Sequence, residues 1–307
     1  MTMTKITTAC RTGLATRLPE LSLMFATFLW GFTFLGTSVV MGMAGPMLFV
    51  GTRFAIAALV LALLFRRSLR DVGRSELMAM VAVGLPMSVG YILQAAGLET
   101  IESSKSAFIT ALHVPIVPLL QWLFMRTTPH RMTWVGVGFC LGGLTLLSGN
   151  GMGPSLGFDR GEWLTILSAA SIALEIVMVG VFAPRVNVKA VSILQLAFVA
   201  CAAFMAAKVT GEPIPDHLPP LFWQITIVMA LATAVIQLLM NWAQRTVSPT
   251  RATLIYTTEP VWAGMVGWTA GERLGPAALL GCGLIFMGVL LSEWRPGDQA
   301  GGDTETG

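Results

Sequence analysis

Residues 248–272 read SPTRATLIYTTEPVWAGMVGWTAGE. They set a carboxylate followed by a proline, Glu259-Pro260, about ten residues deep in an apolar run long enough to cross a bilayer. At about 1.5 Å of rise per helical residue, Glu259 lies roughly 15 Å from the start of the run, near the middle of a hydrocarbon core about 30 Å thick. A charge at that depth costs about 2.5–3.5 kcal/mol on the lowest estimates, so Glu259 is expected to face a cavity, a partner or a proton rather than lipid. Pro260 donates no backbone hydrogen bond and so frees a carbonyl on the preceding turn, while Tyr256, three residues before Glu259, shares its helix face. Two readings stand for Glu259: a structural carboxylate that holds the kink or pairs with Arg53, and a direct substrate or proton role.

The composition agrees with a membrane setting. Hydrophobic residues make up 55% of the 307 and charged ones 11%, against roughly 25% charged in soluble domains. So few polar groups do not cover a water-facing surface of this size, and a polytopic, all-α membrane protein follows. The net charge of +3 is explained by loops, without nucleic acid. Cys10, Cys140, Cys201 and Cys282 are scattered singly, with no metal spacing, and neither cofactor nor metal is expected.

Apolar runs bounded by Gly, Pro and charge place ten transmembrane helices, at 21–41, 46–65, 77–98, 105–125, 132–149, 162–183, 190–209, 220–243, 249–271 and 275–293. The run at 21–41 exceeds a signal-peptide core, so the first helix is read as retained. Basic residues sort the loops. Lys5, Arg11, Arg17, Arg66, Arg67, Arg70, Arg74, Arg126, Arg131, Arg185, Lys189, Arg245, Arg251 and Arg295 fall on one side. The other side receives Lys105, Arg160, Lys208 and Arg273, and Arg53 lies within a span. Positive residues concentrate in the cytoplasm, which places both termini there, in the cytoplasmic or inner membrane. Residues 1–20 are read as a cytoplasmic segment and 294–307 as a disordered cytoplasmic tail.

The chain repeats itself. A shift of 145 lays SSKSAFITALHVPIVP from Ser103 on SPTRATLIYTTEPVWA from Ser248, matching Ala107 with Ala252 and Pro115 with Pro260. The same shift matches Gly136, Gly138 and Gly143 with Gly281, Gly283 and Gly288. Near the start of each half a shift of 142 sets Glu20 on Glu162 and Arg53 on Gln195. Each half (21–149 and 162–293) then holds five spans, and an odd number inverts the second half relative to the first. Inverted repeats underlie alternating access in many secondary transporters, with sites near the midplane where the halves meet.

Four segments carry a resemblance to a known family over residues 20–293: WGFTF from Trp30, PMLFVGTRF from Pro46 with its RFAIAAL continuation, GLETIESSKSAFITALHVPIVPLL from Gly97, and AQRTVSPTRATLIYTTEPVWAGMVGWTAGERL from Ala243. In these the chain resembles the drug/metabolite transporter superfamily, in its ten-helix EamA-type branch. The resemblance implies two inverted five-helix repeats, transport of small metabolites, often amino acids, and a pathway near the third, fourth, eighth and ninth spans. Many members carry a Lys near the end of the first helix where this chain has Ser38, so no role of that Lys carries over.

Other polar residues lie at depth. Arg53, about seven residues from its helix end, suits a structural ion pair or a substrate carboxylate. Glu175, roughly 20 Å into the sixth span, is a candidate proton carrier. His113, repeat-mate of Thr258, is either a hydrogen-bonded packing residue or a proton relay. Thr233, Gln237 and Asn241 form one stripe, and Tyr91 with Gln94 a shorter one. Trp30 and Trp262 either pack or stack on a substrate, whereas Trp134, Trp163, Trp223 and Trp294 sit near span ends as interfacial anchors. The glycine series in the fifth and tenth spans suits close helix packing or a homodimer surface.

The expected function is a secondary transporter; that it is an exporter, and that its cargo is a small metabolite such as an amino acid, is what the resemblance implies. A phosphorylated-sugar or nucleotide-sugar exchanger asks for a cationic cavity, and Arg53 stands here against Glu175 and Glu259. A membrane enzyme asks for a nucleophile or metal cluster that the spacing does not supply. A non-transporting scaffold or sensor is the remaining reading.

Overall fold

The computed structural model describes residues 3–70, 72–125, 131–147 and 158–293, with side chains from residue 17 onward except at 125, 147, 292 and 293. Among the described residues the regular structure is entirely helical. The helices are α1 (Met3–Met41), α2 (Pro46–Phe65), α3 (Arg74–Gly97), α4 (Ser103–Thr110), α5 (His113–Met125), α6 (Arg131–Leu147), α7 (Arg160–Phe182), α8 (Val188–Thr210), α9 (Pro220–Ala243), α10 (Pro249–Tyr256), α11 (Glu259–Thr269) and α12 (Pro276–Glu293). Short 3₁₀ turns follow α2 and α7. Seven helical stretches are long and apolar enough to cross a membrane: Arg17–Met41, Pro46–Leu69, Arg74–Gly97, Ser103–Phe124, Arg160–Arg185, Val188–Thr210 and Pro220–Ala243. Pro276–Leu291 is a shorter apolar helix.

Local chemistry sets the boundaries. Proline opens α2, α9, α10 and α12, where its missing N–H removes no intrahelical bond. Asn187 caps α8 by accepting from Lys189 N and Ala190 N, and Gly211, at φ 68°, closes the same helix in the left-handed conformation. The first helix begins well before residue 21, so the boundary drawn from hydropathy marks where the helix becomes apolar and not where it starts. The tail at 294–307, with Trp294 and Arg295, and Arg126 lie outside the described residues.

Two apolar runs are broken helices. α4 stops at Thr110 and α5 starts at His113; α10 stops at Tyr256 and α11 starts at Glu259. Pro115 and Pro260, repeat-mates, interrupt the ladder, and bonds to the third residue back, Val114 N to Ala111 O and Thr258 N to Ile255 O, tighten each break. The repeat extends to the side chains. His113 Nδ1 lies 2.7 Å from Thr110 O, and its mate Thr258 donates Oγ1–H to Ile255 O at 3.0 Å. Because a carbonyl only accepts, His113 carries its proton on Nδ1.

The helix pairings survive exchange of the two halves. α6 packs on α12 and α2 on α8. The contact of α3 with α7 exchanges into α1 with α9, α3 with α8 into α2 with α9, and α5 with α7 into α1 with α11. At α6–α12 the backbones touch. A Cβ on Gly143 would stand 2.6 Å from Gly281 O, and one on Gly288 would stand 2.5 Å from Gly136 O. These glycines are occupied within the chain, while Gly138, Gly142 and Gly283 face open space. Cys140 and Cys282 pack in the same seam, and Cys201 is exposed. Trp134, Trp163 and Trp223, in the first turns of α6, α7 and α9, are exposed as interfacial residues are.

Candidate functional site

The centre of the bundle is polar. Trp30 of α1, Arg53 of α2, Tyr91 of α3, His113 of α5, Glu175 of α7, Gln195 of α8, Gln237 of α9, Tyr256 of α10 and Glu259 of α11 are all buried. Gln237 is the hub: its Nε2 donates to Tyr91 Oη at 3.5 Å and to Glu175 Oε1 at 3.4 Å, and its Oε1 accepts from Gln195 Nε2 at 3.0 Å. One turn on, Asn241 Nδ2 donates to Ser192 Oγ at 3.0 Å. The stripe read on α9 therefore joins that helix to α3, α7 and α8.

Arg53 is 2% exposed. Its Nε donates to Thr233 Oγ1 at 2.7 Å, and its guanidinium carbon lies 5.7 Å from the ring centroids of both Phe54 and Tyr91. One terminal nitrogen has no partner. The pairing of Arg53 with Glu259 expected under one reading is not formed: the ion pairs among the described residues lie elsewhere, and a hydroxyl with two aromatic faces holds the guanidinium instead.

Glu259 is 1% exposed, and neither carboxylate oxygen has a hydrogen-bond partner. As the first residue of α11 it sits at the positive end of that half-helix, which offsets part of the cost of burying it. Glu175 Oε2, His113 Nε2 and Trp30 Nε1 are likewise without partners. Aromatic rings enclose these groups. Trp30 stacks on Tyr91 at 6.5 Å and meets Tyr256 edge-on at 5.9 Å, Tyr91 meets Phe54 at 4.7 Å, and His113 lies 6.3 Å from Tyr256. Polar atoms without partners, from both halves, thus lie together inside a cage of aromatic rings.

Two residues from the sequence reading sit apart from the hub. Gln94 donates to Thr110 Oγ1 at 3.4 Å, which ties α3 to the break before His113. Trp262 is half-buried and meets Phe28 edge-on at 5.2 Å, because α11 approaches α1 so closely at Gly31 that a Cβ there would stand 2.6 Å from Trp262 Cβ. Phe54 and Gln244 escaped the sequence reading. Phe54 has the signature of any apolar helix residue, and Gln244, which donates to Tyr256 Oη at 3.2 Å, reads as part of a basic loop. The open cavities flank the cluster. One of about 560 Å³ lies between α1 and α9, lined by Phe28, Phe32, Ile225 and Met229; one of about 460 Å³ lies behind Pro260, beside α12.

Comparison with known proteins agrees with this architecture. The model of the EamA-like transporter family matches residues 17–149 and again 159–294. An uncharacterized transporter of Archaeoglobus fulgidus is 25% identical over 280 residues, covering 90% of this chain and 86% of that protein. The uncharacterized inner membrane transporter YedA of Escherichia coli is 27% identical over 285 residues, covering 89% and 90%. A solved crystal structure shares the fold with a TM-score of 0.66 at 18% identity, over 89% of this chain and 96% of that one.

Proposed function

The chain belongs to the EamA-like transporter family, a multi-pass membrane protein of the drug/metabolite transporter superfamily, and from that premise we propose that it is a secondary transporter that exports a small metabolite such as an amino acid by alternating access. The observation that carries this reading is the closed central cluster, in which Arg53 from one half and Glu175 and Glu259 from the other keep polar atoms without partners. Such atoms are costly in a packed core, and a ligand or proton that satisfies them is their reason to persist. A zwitterion fits: its carboxylate meets the free nitrogen of Arg53, its ammonium meets Glu259 or Glu175, and its side chain meets Trp30, Tyr91 and Tyr256. A phosphate-bearing sugar fits poorly beside two acids and one arginine.

On this reading the ten apolar runs are ten spans in two inverted repeats, 21–149 and 162–293, in the cytoplasmic membrane with both termini inside. The repeat-matched breaks and the exchangeable helix pairings support it. A homodimer would use the open glycine faces of α6 and α12, since their other faces are occupied within the chain. The test is counterflow of radiolabelled amino acids in proteoliposomes, with and without a pH gradient. Saturable counterflow of one of them is expected. No flux of any amino acid from folded protein would overturn the substrate class and favour a scaffold.

A further inference from the structure

Two ion pairs form among the described side chains, and each joins the two halves. Lys105 Nζ lies 2.5 Å from Glu162 Oε1; Arg251 Nε lies 3.1 Å from Glu20 Oε1. They occupy corresponding places in the two halves, with the cations one position out of register under the shift of 145. Glu20 and Glu162 are repeat-mates, in α1 and α7, and Lys105 and Arg251 are each the third residue of the half-helix that opens a broken span, α4 and α10. A cation in the first turn of a helix opposes the helix dipole, and this chain places one there in both halves, each answered by a carboxylate from the other half.

The pairs sit at opposite ends of the bundle. Around Lys105 and Glu162 gather the starts of α4 and α7, and the loop after α11, whose Glu272 accepts from Ser103 N at 3.0 Å and Ser104 N at 3.0 Å. Around Arg251 and Glu20 gather the start of α10 and the tail of α5, where Thr250 donates to Gln121 at 2.7 Å. The surroundings differ sharply. Lys105 is 17% exposed and Glu162 is fully buried, whereas Arg251 is 70% and Glu20 31% exposed. At the first end α3 and α7 also press together, a Cβ on Gly161 standing 2.8 Å from Gly97 O. An exposed pair is screened and opens readily; a buried one holds until its neighbours move.

We propose that the two pairs are reciprocal latches: Lys105–Glu162 shuts one end of the pathway while the other end opens, and Glu20–Arg251 shuts that other end in the opposite state. The structure holds both pairs formed, the state between the two open ones, with the Lys105–Glu162 pair buried and the Glu20–Arg251 pair solvent-exposed, so the second end is the one that opens more readily. This rests on the transport reading above.

The test uses the full chain in proteoliposomes, its four native cysteines replaced by serine and nitroxide labels placed by Arg17→Cys and Arg245→Cys, exposed positions beside the second latch. Pulsed electron resonance reads the distance between them. Lys105→Glu, which sets two carboxylates against each other, is expected to shift the distances shorter as the second end shuts; the charge-swapped double variant Lys105→Glu/Glu162→Lys is expected to restore the unmodified distribution. Lys105→Gln gives the same sign of shift and covers failure of the repulsive variant to insert. Distances that do not respond to either Lys105 variant would overturn the latch proposal. Counterflow by the unmodified chain separates the two ideas: coupled distances without flux of any solute refute transport but keep the latches, and flux with uncoupled distances refutes the latches alone.

Discussion

Glu272 offers a prediction that needs no knowledge of the substrate. It sits in the loop between α11 and α12 and closes the start of α4 with four hydrogen bonds, from Ser103 N at 3.0 Å, Ser103 Oγ at 2.6 Å, Ser104 N at 3.0 Å and Ser104 Oγ at 2.5 Å. A hydrogen bond to a charged group contributes about 1.5–3 kcal/mol net and a neutral one about 0.5–1.5. In Glu272→Gln the acceptor loses its charge, and the amide NH₂ faces donors on one of the two serines. Discounting for the partly exposed position, we expect a loss of about 2 kcal/mol in local stability, or about thirtyfold in the opening constant of the first turn of α4. Hydrogen exchange read by mass spectrometry on peptides covering 103–110 checks it. The pH dependence follows in sign. Burial alone raises the Glu272 carboxyl, but the bonds from Ser103 and Ser104 outweigh it and hold the group below its ordinary 4.5. A carboxyl depressed in the folded state stabilises fully above its unfolded value and ceases to do so as pH falls through its folded value. Protection in the unmodified chain is therefore steady at neutral pH and is lost only in acid, as pH falls below the ordinary carboxyl value and through the lowered folded one, whereas in Glu272→Gln it is already low and flat. Unchanged protection in Glu272→Gln at pH 7 would refute the reasoning.

Three further substitutions test the site and the seam. Glu259→Gln removes a charge that no protein group satisfies, so the thermal midpoint is expected to hold or rise while pH-dependent flux disappears; a midpoint lowered by several degrees would show a structural partner instead. Arg53→Lys keeps a cation but not the Nε–H to Thr233, and counterflow is expected to fall at least tenfold with the protein still inserted, as measured against Thr233→Val, which removes the acceptor and is expected to act more weakly. Gly143→Ala drives a Cβ into Gly281 O and Ile285 N, backbone atoms with nowhere to retreat, and is expected to cost about 1–3 kcal/mol, while Gly142→Ala, into open space, is neutral or slightly stabilising; equal thermal midpoints for the two would contradict the α6–α12 contact.

Much of the fold was legible because hydropathy and Gly/Pro punctuation are local signals. Pro115 and Pro260 marked the two breaks, and a shift of 145 residues marked them as related. The site was legible as a list of deep polar residues but not as a set of partners. Thr233 lies 180 positions from Arg53, and no pattern in either helix announces their bond. For Trp262 the sequence leaves packing and substrate stacking both open, because the break at 257–258 and the approach of α1 at Gly31, which set it against Phe28, have no local signature. The capping acids were hidden for the opposite reason. Glu76, Glu212 and Glu272 look like ordinary solvated charges, yet Glu212 accepts from Met47 N and Leu48 N at the start of α2, and Glu76 from Asn187 N at the start of the matching helix α8.

The scaffold obeys the exchange of halves and the site does not. Arg53 faces Gln195 across the repeat, so the cation belongs to one half alone, while both unsatisfied acids, Glu175 and Glu259, come from the other. Even the bonds diverge: Arg53 donates to Thr233 and Gln195 to Gln237, two hydroxyl and amide partners one turn apart on the same helix α9. Under the transport reading, a symmetric framework explains how either end of a pathway can open, since both breaks and the largest helix contacts have counterparts. Under the same reading, the asymmetric cluster within it would give a ligand one orientation, with its anionic part toward α2 and its cationic part toward α7 and α11. A ligand of one charge sign would leave either Arg53 or the acids unanswered. Under the transport reading, that division argues for a substrate carrying both.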